Sequence, residues 1–125
     1  DKARALEGQG VRLRGPVPKA TLVEELRAAR VMLYRGDLNE TFCLAVGEAQ
    51  AMGVPAVVEN LGSVRERVID GETGFVASND SAFAEYAIRI LIDNDLWRTQ
   101  HQTALEKQRN GRWPQAAAAF EALLA

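Results

Sequence analysis

The sequence predicts an α/β fold in which a parallel sheet of about four strands is flanked by helices and followed by a helical tail. Three observations lead to this prediction. Short apolar runs alternate with segments of helical period over residues 1–79. The runs at residues 31–34 and 55–58 are continuously apolar, as in strands that helices cover on both faces. From residue 80 onward only the helical period remains.

The first elements are short. Residues 1–7 are weakly helical and end at Gly8, because a glycine can adopt the left-handed conformation that closes a helix. Residues 11–14 alternate between apolar and charged side chains, which predicts a strand. This strand ends within residues 15–18, where two prolines exclude further helix or central strand.

A helix, a strand and a second helix follow. The first helix is predicted over residues 21–30, since Thr21 and Glu24 have the spacing of a capping box. The continuous apolar run at 31–34 is the strand. After a loop, the apolar positions of residues 41–52 repeat with the helical period. Strand 31–34 therefore leads directly toward a helix N-terminus.

The same alternation continues to residue 77. Residues 55–58 form the next predicted strand, in which the proline is tolerable only as the first residue. Ser63 and Glu66 repeat the capping-box spacing at the start of a short helix over 64–69. Residues 75–77 form the last strand. This succession of strands and helices predicts right-handed crossovers and a mostly parallel sheet.

The tail is predicted to consist of three helices. The first follows a cap at Asp80 or Ser81, and the other two cover residues 96–108 and 115–124, separated at Asn110-Gly111. We expect Trp97 and Trp113 to be packing anchors, and His101 to be a surface or core residue without a catalytic role. The chain is thus one partial domain, with an α/β core over 1–79 and C-terminal helices over 80–125.

Composition restricts the possible functions. With 125 residues, 47% hydrophobic and 26% charged, the chain has the balance of one globular domain. Its net charge of −2 and scattered basic residues predict no nucleic-acid partner. One cysteine excludes an internal disulfide, and no apolar run reaches the ~18 residues of a spanning segment. We expect a cytoplasmic location, and the start without Met indicates a piece of a longer protein.

Two carboxylates lie at the beginning of the helix after strand 31–34. Glu40 precedes this helix, and Glu48 lies eight positions further. In an open α/β sheet, ligands bind at the carboxyl ends of the strands. The free amides and the dipole of a helix N-terminus favour an anion there. The pattern therefore predicts a ligand site between the two glutamates, although Glu48 alone would read as a solvated helix residue.

The sequence around these glutamates resembles a known family. Glu40-Thr-Phe-Cys-Leu44 is followed by Glu48-Ala-Gln-Ala-Met-Gly-Val-Pro-Ala-Val-Val58 and, after Gly62, by Glu66-Arg-Val-Ile-Asp-Gly-Glu-Thr-Gly-Phe-Val76. In this order, the motifs resemble the carboxy-terminal lobe of retaining, group 1 glycosyltransferases of the GT-B fold. The resemblance implies a Rossmann-like lobe that binds a nucleotide diphosphate sugar, from which the enzyme transfers a hexose.

The resemblance also implies a role for individual residues. Glu40 would position the donor sugar for catalysis, backbone amides of the next residues would meet the phosphates, and Glu48 would hold the ribose. The carboxylates suit this task because each can accept two hydroxyl hydrogen bonds. The implied donor-binding residues are Glu40, Thr41, Phe42, Cys43, Leu44 and Glu48, and the residues implied near the nucleobase are Arg14, Gly15 and Val17.

The resemblance implies neither a metal nor another cofactor, and it leaves the acceptor unknown. The cationic residues that neutralise the diphosphate, and the amino-terminal lobe that binds the acceptor, would lie upstream of Asp1. We therefore expect that the isolated chain neither transfers sugar nor binds a nucleotide sugar tightly.

Two departures from the family pattern leave alternatives open. Cys43 stands where a small residue, commonly glycine, follows the aromatic residue, and Arg35-Gly36-Asp37 replaces a frequent Pro-Ser pair. One alternative is a catalytically silent GT-B-like module for interaction or regulation. Another is an epimerase-like enzyme that acts on the nucleotide sugar itself, which the glutamate spacing disfavours.

Overall fold

The computed structural model describes residues 2–109 and 113–124, which form six α-helices, one 3-10 helix and three strands. In chain order these are α1 (Lys2–Ala5), α2 (Lys19–Ala28), β1 (Met32–Tyr34), α3 (Leu44–Ala51), β2 (Ala56–Glu59), the 3-10 helix (Val64–Arg67), β3 (Gly74–Ala77), α4 (Asp80–Ile92), α5 (Asn94–Lys107) and α6 (Trp113–Leu124).

The sheet is parallel, with the order β1-β2-β3. Ala56, Val57 and Val58 of the central strand have no exposed surface, as expected for a strand covered on both faces. Gly74 allows β2 and β3 to approach, because a Cβ at this position would lie 1.9 Å from the carbonyl oxygen of Ala56. The predicted α/β fold with a parallel sheet and a helical tail is confirmed.

The predicted strand over residues 11–14 is wrong, so the described sheet has three strands and not four. Val11 forms only an isolated bridge with Glu7. A strand is stable only when a neighbour pairs with its backbone and its apolar side chains are buried. Leu13 is 44% exposed, so the alternating pattern has no core to pack against here.

Both predicted capping boxes are wrong as well. Helix α2 begins at Lys19, immediately after Pro18, and no side chain caps it. Thr21 therefore lies inside the first turn. Ser63 precedes the 3-10 helix but makes no capping hydrogen bond with its side chain. The helix of the tail begins at Asp80, and its cap is Asn79 rather than Asp80 or Ser81, since the Asn79 side chain accepts from the amide of Ala82.

Helix α3 begins at Leu44, three residues after the predicted start. Its N-cap residue, Cys43, has a left-handed backbone with φ 55°. A non-glycine residue pays a steric cost in this conformation, which persists only where the surroundings enforce it. Cys43 is buried in the core, and its amide is hydrogen bonded by the preceding loop. Sequence periodicity carries no signal for such a tertiary constraint.

The core lies on both faces of the sheet. One face packs against α3 and the 3-10 helix through a buried cluster of Cys43, Val46, Ala56, Val58, Val64 and Val68. The opposite face packs against α4 and α5 through Val57, Phe75, Ala77, Ala87 and Ile90. These two layers hold β1 and the N-terminus of α3 in a fixed relation.

The later helices of the tail also lie close to their predicted bounds. Helix α5 is capped by Asp93, whose carboxylate accepts from the amides of Asp95 and Leu96. Helix α6 begins two residues before the predicted residue 115, and the predicted break at Asn110-Gly111 lies outside the described residues. The expected packing role of Trp113 is wrong within this chain, since its side chain is 89% exposed. Every helix in the described part of the chain is too short or too polar to cross a bilayer.

Candidate functional site

The carboxylate of Glu40 lies at the carboxyl end of β1 and at the N-terminus of α3. Its Oε2 accepts a hydrogen bond from the Tyr34 hydroxyl at 3.2 Å. Its Oε1 accepts from the amide of Cys43 at 2.9 Å and from that of Phe42 at 3.4 Å. The strand, the loop and the helix start are therefore joined through one side chain.

The backbone around Glu40 is held from two sides. The Glu40 amide donates to the carbonyl of Asp37 at 3.1 Å, and the Glu40 carbonyl accepts from the Ser63 amide at 3.0 Å. Gly62 makes this approach possible, since a Cβ there would lie 2.4 Å from the Asp37 carbonyl oxygen. The segment after β2, at Gly62 and Ser63, thus packs against the loop that carries Glu40 and holds it in place.

Hydrogen bonding and burial shift the pKa values of Glu40 and Tyr34 in opposite directions. The amides of Cys43 and then Phe42 lower the pKa of the Glu40 carboxyl, because they stabilise its charged form. Burial, followed by the hydrogen bond to Glu40, raises the pKa of Tyr34. Glu40 is therefore a carboxylate that accepts hydrogen bonds, and Tyr34 is a neutral hydroxyl that donates one.

Glu48 lies on α3, four residues after its first residue Leu44, and forms an ion pair with Lys19 of α2. Its carboxylate borders two depressions of the surface. A cleft of about 550 Å³ extends over the outer face of α3, where Phe42, Leu44, Gly47 and Glu48 contribute to its lining. A smaller, mostly apolar groove of about 220 Å³ separates α2 from α3.

The residues between the two glutamates present different groups. The side chains of Phe42 and Leu44 are 52% and 66% exposed, while Cys43 is buried. Thr41 is exposed. The guanidinium of Arg67, from the 3-10 helix, lies over the Phe42 ring at 4.1 Å. The cleft therefore combines an apolar floor, a carboxylate and a cation, beside the first amides of α3.

The comparison with known proteins identifies the family of this chain. A family model described as Glycosyl transferases group 1 matches residues 1–93. The chain belongs to the group 1 glycosyltransferases. The predicted family is thus confirmed, and the matched region contains Glu40, Glu48 and the complete sheet.

Named glycosyltransferases and one solved structure show the extent of the similarity. D-inositol 3-phosphate glycosyltransferases of Corynebacterium diphtheriae and Streptomyces avermitilis are 36% identical over 115 residues and 40% identical over 83 residues. These alignments cover 90% and 66% of this chain. The chain spans only 27% of the first relative and 17% of the second.

A sucrose-phosphate synthase structure from Thermosynechococcus elongatus is similar to 97% of this glycosyltransferase chain, with a TM-score of 0.77 and 26% identity. The match covers 32% of that protein. A fold shared over this much of the chain confirms the predicted GT-B type of architecture, with three described strands in place of four.

In this glycosyltransferase chain, the three residues expected near the nucleobase lie before α2. Arg14 forms an ion pair with Glu25 of that helix at 3.0 Å. Gly15 is exposed, with open space around it, and Val17 is half-buried. Val17 lies two residues before Lys19, so this segment leads toward Glu48. The assignment to the nucleobase stays a prediction.

Sequence reasoning missed Tyr34, Lys19 and the contact of Arg67 as parts of the site. Tyr34 is the last residue of β1, so a hydroxyl at the carboxyl end of a strand was the available signal. The other two residues lie far from the glutamates in sequence and carry no local signal. Among the described residues, no group of three or more His, Cys, Asp or Glu side chains is placed to hold a metal ion.

Proposed function

We propose that this chain forms the donor-binding part of a glycosyltransferase that moves a hexose from a nucleotide diphosphate sugar to an acceptor, with retention of configuration. The observation that carries the proposal is the Glu40 carboxylate at the β1-to-α3 crossover, joined to Tyr34 and to the amide of Cys43. Membership in the group 1 glycosyltransferases supports it.

The two glutamates have separate duties in this proposal. Glu40 positions the hydroxyls of the donor sugar, and Glu48 binds the ribose hydroxyls from the outer face of α3. The amides of Phe42, Cys43 and Leu44 face the phosphates, where the helix dipole favours negative charge. In the structure, Glu40 itself accepts hydrogen bonds from the amides of Phe42 and Cys43. Donor binding then requires the carboxylate to turn from these amides toward the sugar.

The chemical contribution of this part is positioning and electrostatic stabilisation. Holding the donor in one geometry lowers the entropic part of the barrier. Hydrogen-bond donors aimed at the departing diphosphate stabilise the charge that develops on it. A metal-free site and a cytoplasmic location belong to the proposal, as does the expectation that the isolated chain lacks transferase activity.

A thermal-shift screen of the full-length protein tests the proposal. UDP-, GDP- and ADP-sugars are added separately, and one series should raise the melting temperature. D-inositol 3-phosphate is the first acceptor to assay, because the relatives from Corynebacterium and Streptomyces are named for it. Failure of all three series to raise the melting temperature, together with absence of transfer, would overturn the proposal.

One observation favours a second candidate, a silent module that keeps the lobe for protein interaction. The amides at the start of α3 already have an internal anion, and Cys43 stands at the cap in a strained backbone. The same screen separates the two, since a silent module binds no nucleotide sugar. An epimerase-like enzyme would consume the nucleotide sugar without an acceptor.

A further inference from the structure

Arg67 is a cation whose position no sequence motif explains. It ends the 3-10 helix after β2, and its guanidinium carbon lies 4.1 Å from the centre of the Phe42 ring. The ring belongs to the residue just before the helix cap Cys43. Arg67 also lines the cleft of about 550 Å³ that contains Glu48. The Arg67 side chain therefore lies beside the N-terminus of α3 and lines the same cleft as Glu48.

The charge of Arg67 has no internal counterpart in the described part of the chain. The ion pairs of the described residues involve Arg14, Lys19, Arg27, Arg35, Arg98 and Lys107. Arg67 is absent from this set, and its buried Nε has no hydrogen-bond partner among those residues. The guanidinium of Arg67 is therefore available to an anion that enters the cleft.

The arrangement suits a phosphate group. A guanidinium presents several N–H donors in a planar fork, which matches the oxygens of a phosphate. The Phe42 ring beneath holds the guanidinium in place by a cation–π contact. Gly47 leaves room for the stem, because even an added Cβ would remain 3.7 Å from the Arg67 Cδ. The other arginine of the cleft, Arg109, is engaged through Nε with the carbonyl of Ala51 at 2.8 Å.

We infer that Arg67 binds the diphosphate of the donor, as a cationic contact contributed by this part of the chain. The inference rests on the proposed function and extends it by one substrate-binding residue. In this inference, the phosphates lie between two groups of donors. Arg67 contacts them from the 3-10 helix, and the backbone amides contact them from the N-terminus of α3. The cationic side of the site is then built partly by the segment after β2.

The test compares charge removal at Arg67 with charge removal at its neighbour. Arg65 lies on the same 3-10 helix and is exposed, so Arg65→Gln is the matched control. Calorimetry of the full-length protein measures the Kd of UDP, GDP and ADP and of uridine, guanosine and adenosine. Arg67→Gln should weaken binding of the preferred nucleoside diphosphate by about tenfold or more. Its matching nucleoside and the Arg65→Gln variant should change by less than about twofold.

A second variant separates charge from packing. Arg67→Lys keeps a cation that reaches the cleft, so it should retain more diphosphate affinity than Arg67→Gln, whatever either variant does to the melting temperature. Equal losses for diphosphate and nucleoside, or equal losses for Lys and Gln, would show that Arg67 only supports Phe42 and would overturn the inference. If the unmodified protein binds no nucleoside diphosphate, the proposed function fails together with it. If binding is intact and Arg67→Gln behaves like Arg65→Gln, the inference alone fails.

Discussion

The carboxylate of Glu40 accepts a hydrogen bond from the backbone amide of Cys43 at 2.9 Å, immediately before the first turn of α3. This contact holds the anion of the protein at the position where a ligand anion is proposed to bind. It also accounts for the late start of α3, since the loop from Glu40 to Cys43 closes on itself before the helix begins. The proposed donor binding and the local fold of this loop therefore depend on the same amides, those of Phe42 and Cys43.

Replacing Glu40 by Gln should remove a pH-dependent part of the stability. The pKa of Glu40 is lowered in the folded protein, mainly by the Cys43 amide. Its contribution is therefore fully present above its ordinary pKa of 4.5 and is lost as the pH falls through the lower, folded value. Melting temperatures from pH 3 to pH 8 should show a deficit for Glu40→Gln that is largest above pH 4.5 and shrinks as the pH falls below it.

Glu66→Gln is the control for this measurement, because Glu66 is exposed on the 3-10 helix. A deficit of the same size for both variants at every pH would contradict the assignment of the effect to the Cys43 amide.

Removal of the Tyr34 hydroxyl should lower the transfer rate of the full-length protein by about tenfold or more, because a hydrogen bond to a charged group contributes about 1.5 to 3 kcal/mol. The hydroxyl donates to Glu40 Oε2 at 3.2 Å and so orients the carboxylate. Tyr34→Phe keeps the ring in the core. Tyr86→Phe on the opposite face of the sheet should leave the rate unchanged. Steady-state kinetics with the preferred donor provide the measurement, and an unchanged rate in Tyr34→Phe would refute the orienting role.

Truncation of Glu48 should weaken nucleotide binding by about ten- to a hundredfold, if a charge-assisted contact to the ribose is lost. Calorimetry with the full-length protein measures the Kd. Lys19→Ala is the informative comparison, since it removes the ionic partner of Glu48 and leaves the carboxylate. This exposed pair contributes little by itself, so Lys19→Ala should have the smaller effect. Equal affinities in the unmodified and Glu48→Ala proteins would show that the ribose assignment is wrong.

A methyl group at Gly62 should destabilise the protein more than one at Gly71. Both glycines have left-handed backbones, with φ of 55° and 79°, so each substitution costs about 1 to 2 kcal/mol in strain. The Gly71 position is open, whereas the new Cβ of Gly62→Ala would lie 2.4 Å from the Asp37 carbonyl oxygen. Urea unfolding should show an additional loss of at least about 1 kcal/mol for Gly62→Ala. Equal losses of stability in the two variants would mean that the loop at Asp37 moves away from the new Cβ without a cost in free energy.

The sequence was informative where the structure depends on local pattern, and it failed where the structure depends on partners. The continuous run at 55–58 placed the central strand correctly, because burial on both faces leaves a composition signal. The run at 11–14 had strand character but no neighbour to pair with. The motif predicted Glu40 and Glu48 as donor-binding residues, and this assignment stays a prediction. The motif could not show that Glu40 would close on Cys43, since that contact follows from a left-handed cap fixed by the core.

Trp97 joins the helical tail to the chain just before β1. The indole Nε1 donates at 2.8 Å to the carbonyl of Arg30, which lies two residues before β1, and the Arg30 guanidinium lies over the ring. Trp97→Phe keeps a ring but leaves this part-buried carbonyl without its donor, which should cost about 1 to 3 kcal/mol in urea unfolding. Trp113→Phe is the matched control, because Trp113 is 89% exposed and should change the stability by less than about 0.5 kcal/mol. Similar values for the two variants would show that the hydrogen bond from Trp97 to Arg30 adds nothing to the attachment of α5.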